Sequence, residues 1–245
     1  GGSEGMAPRI ERVRSSIRSA AFSSEADRAK VVRLFEDYIT KINNAMAGSG
    51  EVQTGEYVGE RNAAGEREGR GEKVYADGDV YEGEWMADRM EGRGIYRFAD
   101  GAVYEGEWKA GEKEGRGIER YASGAVYEGE WKAGKEEGRG IYRYASGNVY
   151  EGEFKAGKYE GRGTFLYANG RIEVGFYKAG TDVGEGVKWT ADGQSAWQMV
   201  KCSNGGKDGK VMKTISLEEA ERRVERLGLP MPVRREGKWA AGQRV

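Results

Sequence analysis

The sequence predicts a mainly β protein. It reads as an elongated, single-layer antiparallel meander of 23-residue hairpins, flanked by an N-terminal helical segment and a short C-terminal capping helix. Three observations predict this. Gly-Arg-Gly recurs at 69–71, 92–94, 115–117, 138–140 and 161–163, always 23 residues on, and Gly184-Glu185-Gly186 continues the series. Apolar or glycine residues alternate with charged ones through Tyr81-Glu82-Gly83-Glu84-Trp85, the period of a strand. Gly78, Gly101, Gly124, Gly147, Gly170 and Gly193 keep the same step and end turn-like tripeptides such as Ala99-Asp100-Gly101. A repeat of this period implies units that contact only their neighbours and ends that need caps.

Composition agrees. Hydrophobic residues are 38% and charged residues 33%, with 41 glycines, too little for a thick core. Yet 14 Tyr, 6 Trp and 6 Phe are too many for a disordered chain. The net charge of −1 leaves no basic field for nucleic acid. A single cysteine, Cys202, excludes an intrachain disulfide and favours a cytoplasmic setting. No apolar run is long enough to span a membrane.

Along the chain, residues 1–7 read as an expression scar and are set aside. Residues 8–47 read as helical. Ile10, Val13 and Ile17 form a first stripe; Val31, Leu34, Phe35, Tyr38 and Ile42 form a second, with a break near 22–24. This stripe has three possible uses: packing on the sheet, filling a groove of the sheet, or dimerisation. Arg9, Arg12, Arg14 and Arg18 would suit an anionic membrane surface or a solvated helix face. After a linker at 48–56, six units occupy 57–195, the first with one extra residue and the sixth degenerate.

Each unit is a hairpin with two faces. Face one carries Tyr81, Gly83, Trp85, Gly92, Gly94, Tyr96 and Phe98; face two carries Glu82, Glu84, Arg93, Ile95 and Arg97. The simplest register sets Trp85 against Gly92, Gly83 against Gly94, and Tyr81 against Tyr96. Glu84 then faces Arg93, a favourable cross-strand pair. Glycine opposite glycine leaves a furrow that neighbouring rings can fill. Twelve strands at about 4.8 Å make a ribbon of roughly 58 Å.

The sixth unit changes sides. Glu173, Gly175, Tyr177, Lys188 and Thr190 stand on face one, and Val174, Phe176, Val187 and Trp189 on face two, with Trp197 assigned to the same apolar side. A degenerate hairpin follows at 196–215. Ser216 with Glu219 forms a capping box, and Leu217, Ala220, Val224 and Leu227 make one helical stripe that ends at Gly228 and Pro230. The helix at 216–228 is therefore expected to cap Phe176, Val187, Trp189 and Trp197 through Leu217, Val224 and Leu227. Residues 229–245 read as a poorly ordered tail.

Tyr-x-Gly-x-Trp, then Gly-x-Gly, then a turn glycine on a 23-residue period, recurring at Tyr81, Tyr104, Tyr127 and Tyr150, resembles the MORN repeat (membrane occupation and recognition nexus) family. The resemblance covers residues 57–195. It implies a twisted single-layer sheet with a groove, and a scaffold at cytoskeletal, axonemal or membrane-contact sites. Relatives that join the repeats to a phosphoinositide kinase or a lysine methyltransferase carry domains that this sequence lacks.

No chemistry signal is present. There is no histidine for a triad or a zinc site, and Cys202 is alone. Carboxylates recurring every 23 residues already have a sheet explanation. The Gly-Arg-Gly elements are not followed by Gly-Lys-Ser/Thr or by a helix, so they are not phosphate loops. No cofactor is implied.

Binding remains. The expected surface is an aromatic groove. Its first row is Tyr81, Trp85, Tyr104, Trp108, Tyr127, Trp131, Tyr150 and Phe154. Its second is Tyr96, Phe98, Tyr121, Tyr142, Tyr144, Phe165 and Tyr167. Glu119 interrupts the second row, either as a polar anchor for a basic partner residue or as an exposed edge position. The function expected is a non-enzymatic adaptor holding a helical or extended protein segment, with its N-terminal helix as a brace or an autoinhibitor. An anionic-lipid module or a self-assembling, homodimeric structural protein is the alternative.

Overall fold

The computed structural model describes residues 32–33, 55–202, 209–235 and 237–240. The predicted 8–47 helical segment lies outside these residues except for Val32 and Arg33, which are helical.

Fourteen strands form one antiparallel meander in chain order. The repeat hairpins are β1 (Tyr57–Arg61) with β2 (Arg67–Val74), β3 (Val80–Met86) with β4 (Arg89–Arg97), and β5 (Val103–Lys109) with β6 (Glu112–Arg120). They continue as β7 (Val126–Lys132) with β8 (Lys135–Arg143), β9 (Val149–Lys155) with β10 (Lys158–Leu166), and β11 (Ile172–Lys178) with β12 (Thr181–Trp189). A terminal hairpin, β13 (Ala196–Cys202) and β14 (Gly209–Ile215), follows the twelve repeat strands in the same sheet. Helix α1 (Leu217–Arg226) follows, then the small hairpin β15 (Val233–Arg235) and β16 (Lys238–Ala240).

The registers Tyr81↔Tyr96 and Gly83↔Gly94 are as the alternation requires, but the next pair is Glu84↔Glu91, and Trp85 meets Met90. The expected Trp85–Gly92 and Glu84–Arg93 pairs within the hairpin are therefore incorrect. Gly92 and Arg93 form a two-residue bulge, with Gly92 at φ +61, a conformation that favours glycine. Gly92 and Arg93 instead pair forward, with Trp108 and Glu107 of the next unit. Because the shift is two residues, side chains stay on the faces that parity assigned.

The helical cap forms on face two. Ser216 accepts the Glu219 N–H at 3.1 Å, and the Gly228 and Leu229 amides close a Schellman end on Glu225 and Val224. Ala220 and Val224 are fully buried against Ile172, Val174, Val187 and Trp189, with Phe176 and Leu227 at the margin. Arg223 and Arg226 both reach Glu185 of β12, at 3.2 and 3.1 Å.

Two residues assigned to this cap do not belong to it. Leu217 is 39% exposed. Trp197 pairs with Lys188, and Met199 with Gly186, on the opposite face. The physical reason is the turn. Strands such as β4 and β5 are joined by five residues, but six separate Trp189 from its partner Ala196, and one extra residue reverses every later side chain. The tail expectation also fails for the described residues. The β15–β16 hairpin docks Trp239 on Trp189, centroids 5.8 Å apart, and the Trp239 indole N–H donates to the Thr190 carbonyl at 2.7 Å.

Candidate functional site

Face one is a closed aromatic ladder. Tyr81 lies edge-to-face against Trp85 and Trp108, at 5.0 and 5.3 Å, and Tyr104 lies likewise against Trp108 and Trp131. Tyr127 bridges Trp131 and Phe154, and Tyr150 bridges Phe154 and Tyr177. Each tyrosine ring lies down over the glycine pair of its own hairpin. A Cβ on Gly117 would stand 2.4 Å from the Tyr104 hydroxyl, so the furrow is filled by the unit's own ring. The Tyr104 hydroxyl donates to the Glu107 carbonyl at 3.0 Å, and the Trp131 indole donates to the Gly117 carbonyl at 3.2 Å. The four repeat tyrosines and the three tryptophans therefore have both their apolar surface and their polar handle used internally.

The first row of the expected groove is consequently not a free surface. Tyr81, Tyr104, Tyr127 and Tyr150 are fully buried, and Trp85, Trp108, Trp131 and Phe154 nearly so. Burial raises the four tyrosine hydroxyls well above their ordinary value of 10.0, with the neighbouring glutamates adding to the shift. The second row, Tyr96, Phe98, Tyr121, Tyr142, Tyr144, Phe165 and Tyr167, is half-buried along the five-residue-turn side.

That second row is tied down by a position the sequence reading passed over, the residue before Glu-Gly-Arg-Gly. It is Met90, Lys113, Glu136 and Tyr159 in successive units. Tyr121 donates to Glu136 at 2.7 Å, and the Tyr144 and Tyr159 hydroxyls share a hydrogen bond. Lys113 pairs with Glu119 at 2.5 Å and sits 4.9 Å from the Tyr104 centroid and 4.7 Å from Trp131. Glu119 is 6% exposed, so it is not an edge position, and its cation comes from its own strand rather than from a partner.

Face two is the open one. A groove of about 1470 Å3 runs over it from Arg70 on β2 to Arg162 and Thr164 on β10, and the 228–233 segment walls its far end. The central row across the strands is Glu82, Ile95, Glu105, Ile118, Glu128, Ile141 and Glu151, each residue paired with the next. Beside it Arg97, Val103, Arg120, Val126, Arg143 and Val149 pair in the same way. Ile95, Ile118 and Ile141 are partly exposed on the floor, with exposed Glu105 and Glu128 between them. The signal was present as the isolated isoleucine after the three central Gly-Arg-Gly elements. Alternation alone assigns residues to faces but does not say which face is hollow.

The rows continue beyond the groove. Ile141 gives way to Thr164, Val174 and Val187, the surface on which α1 lies. Among the described residues, the same face is thus covered by a helix at one end and left uncovered along the repeats.

No curated protein matches the sequence. Among solved structures, the SAS-4 (dCPAP) TCP domain of Drosophila melanogaster, in complex with a proline-rich motif of Ana2 (dSTIL), is similar at 16% identity and a TM-score of 0.40, over 68% of this chain and 94% of that chain. The wild-type TCP10 domain of Danio rerio CPAP, in complex with a peptide of Danio rerio STIL, is similar at 9% identity and a TM-score of 0.32, over 60% of this chain and 84% of that chain. The MORN repeat family profile matches residues 63–80, 81–103, 104–126, 127–149 and 150–170, and stops where the apolar side changes face. Residues 63–170 are thus five consecutive MORN repeats.

Proposed function

We propose that this chain is a non-enzymatic scaffold that binds an amphipathic helix of a partner protein in the face-two groove. The observation that carries the reading is the floor. Ile95, Ile118 and Ile141 stand partly exposed at every second strand on a face that already takes helix α1 at one end. A helix laying an apolar stripe into a groove is a general recognition mode. Burying a half-exposed isoleucine contributes about 1 kcal/mol, so three of them with the flanking valines suffice for a specific, reversible contact. Arginine and glutamate alternate along one wall, as Arg70–Glu84, Arg93–Glu107, Arg116–Glu130 and Arg139–Glu153, and the glutamates of the central row lie beside Arg97, Arg120 and Arg143. This favours a helix of mixed charge over an anionic lipid surface, which needs a field of one sign.

The test is selection of helical peptides from a displayed library against the whole chain, followed by titration into Ile118→Lys and Tyr142→Ala variants. The reading expects binding to be lost in the first and kept in the second. Equal binding to the Ile118→Lys variant overturns it.

A further inference from the structure

Resting on the reading of face two as a helix receptor, we propose that residues 24–47 of this same chain are the groove's resident helix, so that a partner must displace them. Three features support this occupant over others.

The first is length. From β2 to β10 the groove crosses nine strands, about 38 Å at the ordinary strand spacing. A helix over 24–47 is about 36 Å long. Its chain enters β1 at Tyr57, at the open end of the groove and opposite the end walled by 228–233.

The second is periodicity. Floor isoleucines recur every two strands, about 9.6 Å. Helical residues seven apart recur every 10.5 Å or so. In this segment Val31 is followed by Tyr38, and Phe35 by Ile42, each seven residues on. Each heptad pair therefore keeps step with one 23-residue unit, from one floor isoleucine to the next.

The third is charge. Lys30, Asp37 and Lys41 stand on one edge of the Val31–Phe35–Tyr38–Ile42 stripe when it is drawn as a helix, a mixed-charge edge suited to a groove lined by both arginine and glutamate. The exposed Glu105 and Glu128 stand between the floor isoleucines that this stripe would cover.

Site-specific photo-crosslinking in the full chain tests this. Phe35→p-benzoylphenylalanine faces the groove in the proposed pose, and Thr40→p-benzoylphenylalanine faces away. Adducts are located by mass spectrometry. The proposal expects intrachain adducts from position 35 on Ile95, Ile118, Ile141 or the flanking valines, few from position 40, and their loss in an Ile118→Lys background. Adducts on the aromatic face, adducts only between two chains, or none from position 35 overturn it.

A second readout uses a library-selected helix. A Leu34→Asp/Phe35→Asp chain is expected to bind it more tightly, roughly tenfold if the resident helix fills about nine grooves in ten. Unchanged affinity overturns in-chain occupancy but leaves the receptor reading intact, provided that Ile118→Lys still abolishes binding. Binding that is insensitive to Ile118→Lys overturns the receptor reading itself.

Discussion

Glu107 closes the bulge of the strand that follows it: its Oε1 accepts the backbone N–H of Arg116 at 3.1 Å. The same contact joins Glu60 to Arg70, Glu84 to Arg93, Glu130 to Arg139 and Glu153 to Arg162. The second glutamate of Tyr-Glu-Gly-Glu-Trp is thus a bulge cap as well as a neighbour of arginine. Glu107→Ala is expected to cost about 1 kcal/mol, the net worth of one charge-assisted bond to a solvent-accessible amide. Glu107→Gln, which keeps an acceptor, should cost less. Urea unfolding of the two variants checks this, and equal losses contradict it.

Gly117 has Tyr104 lying on it. A methyl group there meets the ring at 2.4 to 2.6 Å, so Gly117→Ala must lift the ring and break both its hydroxyl bond and its edge-to-face contacts. The expected loss is about 2 kcal/mol or more. Gly111→Ala is the comparison: its φ is +91 but nothing lies within 4 Å, so only backbone strain of about 1 kcal/mol applies. Denaturant midpoints in that order support the overlying ring, and the reverse order contradicts it.

Lys113 and Glu119 form a buried pair where the preceding unit has Met90 and Tyr96. Lys113→Met alone strands a carboxylate among rings and should cost about 3 to 5 kcal/mol. Adding Glu119→Tyr reproduces the neighbouring unit's solution, and the double variant should return close to the parent stability. A double-mutant cycle measures the coupling. Additive losses would show that the pair is not interchangeable with Met and Tyr.

Burial of the ladder tyrosines makes the fold sensitive to alkali. Their folded-state pKa values lie above the 10.0 of a free tyrosine. Below pH 10 both states are neutral and the stability is fully present. As pH rises beyond 10 the unfolded chain loses tyrosine protons that the folded chain retains, so the unfolded state gains and stability falls. Thermal melts from pH 8 to pH 11.5 should decline only above about pH 10. A midpoint that stays flat through that range contradicts the buried ladder.

Much of this fold was legible because a 23-residue period and a two-residue strand period say nearly everything about a meander. The pairing of glycine with glycine, the side switch after Ile172 and the Ser216 cap all followed from spacing and residue type, whereas the ring that fills the furrow is the unit's own tyrosine. The bulge did not, because a two-residue shift leaves parity unchanged, and Glu84 beside Arg93 satisfied both registers equally well. Trp197 was misplaced by a single extra turn residue. The aromatic residues drew attention to face one because rings often mark interfaces. Here they hold the sheet, and the hollow lies on the face where only isoleucine and valine break the charge.

The claim that face two is the receptor is tested most directly by methyl NMR. With isoleucine δ1 methyls labelled, Ile95, Ile118 and Ile141 report on the groove, and Ile172 reports on the capped end. Titration with a library-selected helix is predicted to move the three groove methyls most, to leave Ile172 nearly fixed, and to leave the Tyr142 and Phe165 ring signals unchanged. Large shifts at Tyr142 and Phe165 with still groove methyls would place binding on the aromatic face and contradict the account.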